Sequence, residues 1–149
     1  MSLKRKIQED MKAALKAKEQ VRLGTIRLLL AAIQRREVDE RITLDDVQVI
    51  AVVEKLIKQG REASEQYRQA GRQDLLDKEA SEIAIFEAYL PEQLSEAEVQ
   101  KLIAEAIAET GAGSIKDMGK VMGVLKPRLQ GRADMGKTSA MVKATLSAS

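Results

Sequence analysis

Apolar residues recur at intervals of three and four along nearly the whole chain, and nowhere do β-branched residues alternate with polar ones. That period predicts helices and no sheet. Ser2 can cap a first helix with Leu3, Ile7, Met11, Ala14 and Leu15 on one face. A second helix, 19–37, carries Val21, Ile26, Leu29, Leu30 and Ile33, with Arg22, Arg27, Arg35 and Arg36 at its margins. Thr43 followed by Asp46 resembles a capping box that opens a long third helix. The face expected for it is Val47, Ile50, Val53, Leu56 or Ile57, and Tyr67, with Gly71 as its stop. A fourth helix, 73–89, presents Leu75, Leu76, Ile83 and Phe86.

Leu90-Pro91 interrupts the pattern, because the residue before a proline is driven out of the helical region. Residues 91–94 are therefore the expected linker. Ser95 and Glu98 form a capping box for a fifth helix, 96–109, whose face is Val99, Leu102, Ile103, Ala106 and Ile107. Ser114 with Asp117 is expected to start a sixth helix bearing Ile115, Met118, Val121, Met122 and Leu125, and Pro127 and Gly131 to end it. Asp134 can cap a last helix through Met141, Val142 and Leu146. The fold class is all-α: an N-terminal helical bundle, 1–90, and a smaller C-terminal three-helix module, 91–149.

Charge separates the two halves of that module. From Ala112 onward the cations Lys116, Lys120, Lys126, Arg128, Arg132, Lys137 and Lys143 face only Asp117 and Asp134, a local charge of +5 in a chain of +2. The stretch 91–111 holds five glutamates against Lys101 alone. A basic surface concentrates phosphates, so these seven cations are the candidate contacts to a polyanion. The competing reading is a solvated helix surface.

Composition narrows the chemistry. The chain has 149 residues, 44% of them hydrophobic and 32% charged, as expected of a folded helical protein. It has no Cys and no His, which removes thiolate and imidazole zinc sites, disulfides and histidine-based catalysis. The longest apolar run, 28–33, is too short to span a bilayer. The basic start Leu3-Lys4-Arg5-Lys6-Ile7 is read as a structural helix rather than a targeting segment, because Glu9 and Asp10 lie within it. These features fit a cytoplasmic protein without a membrane partner, metal or cofactor.

Residues 131–138, GRADMGKT, match the phosphate-loop pattern letter for letter. That loop works between a buried strand and a helix, and LKPRLQ before it is no such strand. The match is refused, and Lys137 is counted among the basic residues. No nucleophile paired with a base can be found, and the six methionines fall mostly at core spacing.

Four segments in order resemble the GatB/YqeY family: Arg22-Leu23-Gly24-Thr25-Ile26-Arg27-Leu28-Leu29, Ala70-Gly71-Arg72-Gln73-Asp74-Leu75, Tyr89-Leu90-Pro91-Glu92-Gln93-Leu94, and Met118-Gly119-Lys120-Val121-Met122 with Gly131-Arg132-Ala133-Asp134. Within that family the chain resembles the small stand-alone bacterial YqeY-like proteins, and it is similar to the helical tail of the GatB subunit of a glutamine-dependent aminoacyl-tRNA amidotransferase. The resemblance implies tRNA binding without the catalytic cradle, and a family label of carbon–nitrogen ligase with glutamine as amido donor. The expected function is thus a tRNA-binding accessory to an amidotransferase or other translation protein. The alternative is a helical protein–protein adaptor with a basic docking face, and an enzyme in its own right is the weakest reading. No aromatic residue follows Tyr89, so base stacking is unavailable to the module and recognition would rest on shape and backbone. Exposed N–H groups after Gly113 and Asp134, at two helix starts, are expected to add phosphate contacts. Gly119 and Gly123 either offer a smooth face to a ligand or pack against the fifth helix.

Overall fold

A computed structural model describes residues 1–148. The chain folds as two compact units, Met1–Leu90 and Pro91–Ser149. Every regular element among the described residues is helical.

The first unit contains α1 (Leu3–Lys16), α2 (Gln20–Glu40), α3 (Asp46–Gln69) and α4 (Gln73–Glu87). Its core joins Ile7 and Ala14 of α1, Leu23, Ile26, Leu29 and Ile33 of α2, Val49, Val53 and Ile57 of α3, and Phe86 of α4. Ser2 caps α1 as expected, its hydroxyl accepting from Arg5 N. The α3 cap differs from the expected Thr43–Asp46 pair. Asp45 accepts from Gln48 N at 2.8 Å, and the Gln48 side chain returns the bond to Asp45 N at 2.9 Å. Asp46 Oδ1 instead accepts from Leu3 N at the start of α1.

Three expected core residues of this unit lie outside. Leu15, Val21 and Val47 are all exposed, while Leu44, Val49 and Val52 are buried in places the sequence reading left empty. The α3 cap lies two residues later than expected, and the buried line is Val49, Val53 and Ile57, spaced four apart, so Val47 in the first turn falls on the exposed side. Helix α2 also runs to Glu40 rather than 37, ending on Arg41 in the left-handed conformation usually taken by glycine.

Glu37 ties three elements together. It accepts from Lys4 Nζ of α1 at 2.7 Å and from Leu44 N of the α2–α3 loop at 2.9 Å. The hydrogen bond from Lys4, then that from Leu44 N, hold its carboxyl below the usual carboxylate range.

The second unit contains α5 (Glu96–Thr110), a 3₁₀ turn (Ile115–Asp117), α6 (Met118–Leu129) and α7 (Met135–Ser147). Val99, Ile103 and Ala106 of α5 meet Val121, Leu125 and Leu129 of α6 and Val142 and Leu146 of α7. Ser95 and Asp134 cap α5 and α7 through Glu98 N and Lys137 N. The expected sixth helix is corrected at both ends. Ser114 makes no side-chain cap bond, residues 115–117 form the 3₁₀ turn, and Pro127 lies inside α6 rather than ending it. The expected linker 91–94 is tied into this unit. Leu94 N donates to Arg132 O at 2.8 Å, and Gln93 Nε2 donates to Gly131 O.

Glu37 generates a pH prediction. Its folded pKa is lowered, so its contribution to stability is full above the ordinary glutamate value and is lost as pH falls through the folded one. Urea titrations of Glu37→Gln should show reduced stability near neutrality and a shallower loss on acidification than the parent. Parallel pH profiles for the two proteins would refute this role.

Candidate nucleic-acid interface

Helix α6 presents two opposite faces. Val121, Leu125 and Leu129, spaced four apart, are buried. Away from them Gly119, Gly123 and Pro127, also four apart, are exposed. A Cβ at Gly119 or Gly123 would meet nothing within 4 Å, so neither glycine packs against α5. The outer face of α6 is bare backbone. Pro127 has no N–H, so the helical bond that would reach the Gly123 carbonyl is absent.

Lys120 and Lys126 are exposed on either side of this glycine line, about 120° apart around the helix with Gly123 midway. The other candidate cations do not all join them. Lys116 is exposed on the 3₁₀ turn. Lys137 and Lys143 are exposed on opposite flanks of the buried line Thr138, Val142 and Leu146 of α7. Arg128 is engaged: its Nη2 lies 2.8 and 3.0 Å from the two carboxylate oxygens of Glu109, which raise its pKa. Arg132 is half-buried, and its Nε reaches Glu92 O at 3.4 Å. The expected basic face is thus a belt, densest around α6, and not one patch of seven.

The two expected helix-start contacts are also corrected. Gly113 N donates to Asp117 Oδ2 at 3.0 Å, and Lys137 N donates to Asp134 Oδ1 at 2.9 Å. A carboxylate already occupies each start, which repels a phosphate there.

The phosphate-loop match dissolves in the same geometry. Residues 131–138 follow helix α6, turn at Gly131 with φ +72°, and enter α7 under the Asp134 cap. Thr138, the supposed metal-binding hydroxyl, is 1% exposed and donates to Asp134 O at 2.9 Å. Among the described residues no three acidic side chains converge as metal ligands. Among the described residues no helix is long and apolar enough to cross a membrane.

The family model of YqeY-like proteins matches residues 4–146. The chain belongs to the YqeY-like family. It is 28% identical over 130 residues to "Altered inheritance of mitochondria protein 41, mitochondrial" of Pyrenophora tritici-repentis, covering 86% of this chain and 71% of that protein. The proteins of the same name from Eremothecium gossypii and Lachancea thermotolerans are 36% identical over 103 residues and 34% over 106. These matches cover 68% and 69% of this chain but only 56% and 57% of those proteins. The matched stretch is thus little more than half the length of these two fungal relatives.

The bare α6 face and the 131–138 turn each generate a prediction. Glycine in an exposed helix interior costs roughly 0.5–1 kcal/mol relative to alanine. Gly123→Ala meets no neighbour, so it should raise unfolding free energy by about that amount in denaturant titration. A loss would mean that the glycine serves the fold. ATP and GTP should leave the melting temperature unchanged, because residues 131–138 form a helix cap with a buried threonine. A rise abolished by Lys137→Ala would overturn that assignment.

Proposed function

We propose that the C-terminal unit binds the sugar–phosphate backbone of a folded RNA, tRNA being the expected one, through the outer face of α6. The observation that carries this reading is the glycine line flanked by Lys120 and Lys126. Gly119 and Gly123 weaken the helix and have no neighbour to pack against on that face. They let another backbone approach closely, and the two lysines supply charge on both sides of it. The Gly123 carbonyl, missing its helical donor, is an acceptor suited to a ribose 2′-hydroxyl. Lys116, Lys137 and Lys143 add longer-range attraction, while Arg128 contributes less because Glu109 neutralises it. The absence of aromatic side chains in this unit favours recognition by shape over base reading.

On this reading the protein is an accessory to translation, acting beside an amidotransferase of the GatB type or another tRNA-handling protein, as its bacterial YqeY-like resemblance suggests. The cytosol is the proposed site, and a mitochondrial location is the alternative raised by the names of the fungal relatives.

The test is tRNA affinity across a salt series with the full chain. Affinity should fall steeply with salt, and the log–log slope should shrink by about one for each phosphate contact removed. Lys120→Glu with Lys126→Glu should weaken binding to many tRNAs alike, whereas Lys6→Glu with Lys16→Glu on α1 should leave it nearly intact. Gly123→Ala should weaken binding while stabilising the fold. DNA of the same sequence should bind less tightly than the RNA. Salt-independent binding, or binding untouched by the α6 variants, would reject this reading. Negligible tRNA affinity with capture of an acidic protein lost in the same double variant would establish the adaptor instead.

A further inference from the structure

Helix α1 carries its charge on the side away from the core. Ile7 and Ala14 are buried, and opposite them Arg5, Glu9, Lys12 and Lys16 form one exposed row at intervals of four, three and four. The row is roughly 17 Å long. Lys6 lies about 100° to one side of it and Leu15 about 100° to the other, both exposed. Lys18, in the turn that follows, is exposed as well. Within residues 3–19 the only exposed acids are Glu9 and Glu19. Both are engaged, Glu9 with Lys12 at 3.5 Å and Glu19 with Arg22 at 3.9 Å. Arg5, Lys6, Lys16 and Lys18 have no ion pair among the described residues.

The fold itself explains only part of this charge. Lys16 and Lys18 suit the negative C-terminal end of α1, but the first turn is the positive end, where cations are disfavoured. Helix α1 nevertheless opens with Lys4, Arg5 and Lys6 and has no acid in that turn. Lys4 is bonded to Glu37, whereas Arg5 and Lys6 make no such bond. Such a face complements an anion outside the chain. Leu15 selects the kind of anion. It is 54% exposed and stands in the same turns as Lys12 and Lys16. A leucine gains nothing from a hydrated phosphate chain, whereas the boundary between lipid headgroups and acyl chains takes leucine and lysine together. The helix contains no glycine, so unlike α6 it offers a polynucleotide backbone no close approach.

We propose that the outer face of α1 is a docking surface for an anionic phospholipid bilayer, with Arg5, Lys6, Lys12, Lys16 and Lys18 among the headgroups and Leu15 at the acyl boundary. Ile7 and Ala14 stay in the core, so the helix lies on the bilayer and the attachment is peripheral and reversible. The expectation of no membrane partner rested on the lack of a spanning segment, which a helix lying on a surface does not need. Each Lys or Arg brought to an anionic surface strengthens attachment roughly fivefold, and salt screens the attraction beyond about 10 Å.

The full chain should co-sediment at low salt with vesicles of phosphatidylserine and phosphatidylcholine, and not with vesicles of phosphatidylcholine alone. Lys6→Glu with Lys16→Glu should lower the partition at least tenfold, with an unchanged circular dichroism spectrum because both side chains are exposed. Lys120→Glu with Lys126→Glu should leave most of it. The chain has no tryptophan, so Leu15→Trp reports on the boundary. Its emission should shift to the blue on the mixed vesicles and stay fixed with phosphatidylcholine alone. No partition onto the mixed vesicles, equal partition onto the uncharged ones, indifference to the α1 reversal, or an unshifted emission from bound protein would each overturn the proposal. Indifference to vesicles, with the α1 reversal instead abolishing capture of tRNA or of an acidic protein, would do the same.

Discussion

Burial of one side of α2 is the contact on which the N-terminal unit depends. Leu23, Ile26, Leu29 and Ile33 form the line, and α2 packs against α1, α3 and α4. Each such side chain contributes about 1.5–3 kcal/mol when removed from water, so this row outweighs every surface ion pair in the unit. The polar ties then select one arrangement of the surrounding helices. Glu37 holds α1 and the α2–α3 loop against the end of α2. Tyr89 donates to Asp10 Oδ2 at 2.7 Å, fastening the residues after α4 to α1. Burial and then the Asp10 carboxylate push the Tyr89 phenol well above its ordinary value, so it remains a donor at any physiological pH.

The C-terminal unit is held differently. Helix α6 has poor intrinsic propensity, with two glycines and an internal proline in twelve residues. It persists because Val121, Leu125 and Leu129 are completely buried between α5 and α7. Tertiary packing, rather than local preference, makes it a helix. Residues 91–94 join the same unit by bonding to the loop before α7, so a proline that breaks a helix here starts a packed segment instead of a free tether.

Helix number, order and most core residues were legible because the three-to-four period is long and strong in every element. The failures were local. Thr43 and Asp45 are both plausible caps, and only the reciprocal Gln48 bond decides between them. Lys18 and Arg41 take the left-handed conformation that the reading sought at glycines, so neither helix end was marked. Pro127 falls in the last turn of α6, where the lost bond is tolerable. For the candidate site, the sequence could count cations but could not assign them to faces. Arg128 is spent on Glu109, nineteen residues away, and no spacing rule links the two. Asp117 and Asp134 were visible, yet their effect in closing those starts to anions required the bonds from Gly113 N and Lys137 N themselves.

Val21 teaches the most among these mismatches. Its spacing suits the core because α2 is apolar enough on all sides to supply several plausible stripes. The real core line and the outer line both obey a helical period, and composition cannot choose between them. Helices α2 and α6 therefore break the usual rule in opposite senses. One exposes apolar side chains where charge would be soluble, and the other exposes glycine where alanine would be more stable. Neither departure helps the isolated fold, since the first invites association and the second weakens a helix. A sequence consistent at every other level departs from local optimum where a surface has a second task. The two exposed faces differ in chemistry: bare backbone between lysines suits a hydrated phosphate chain, whereas leucine and valine do not.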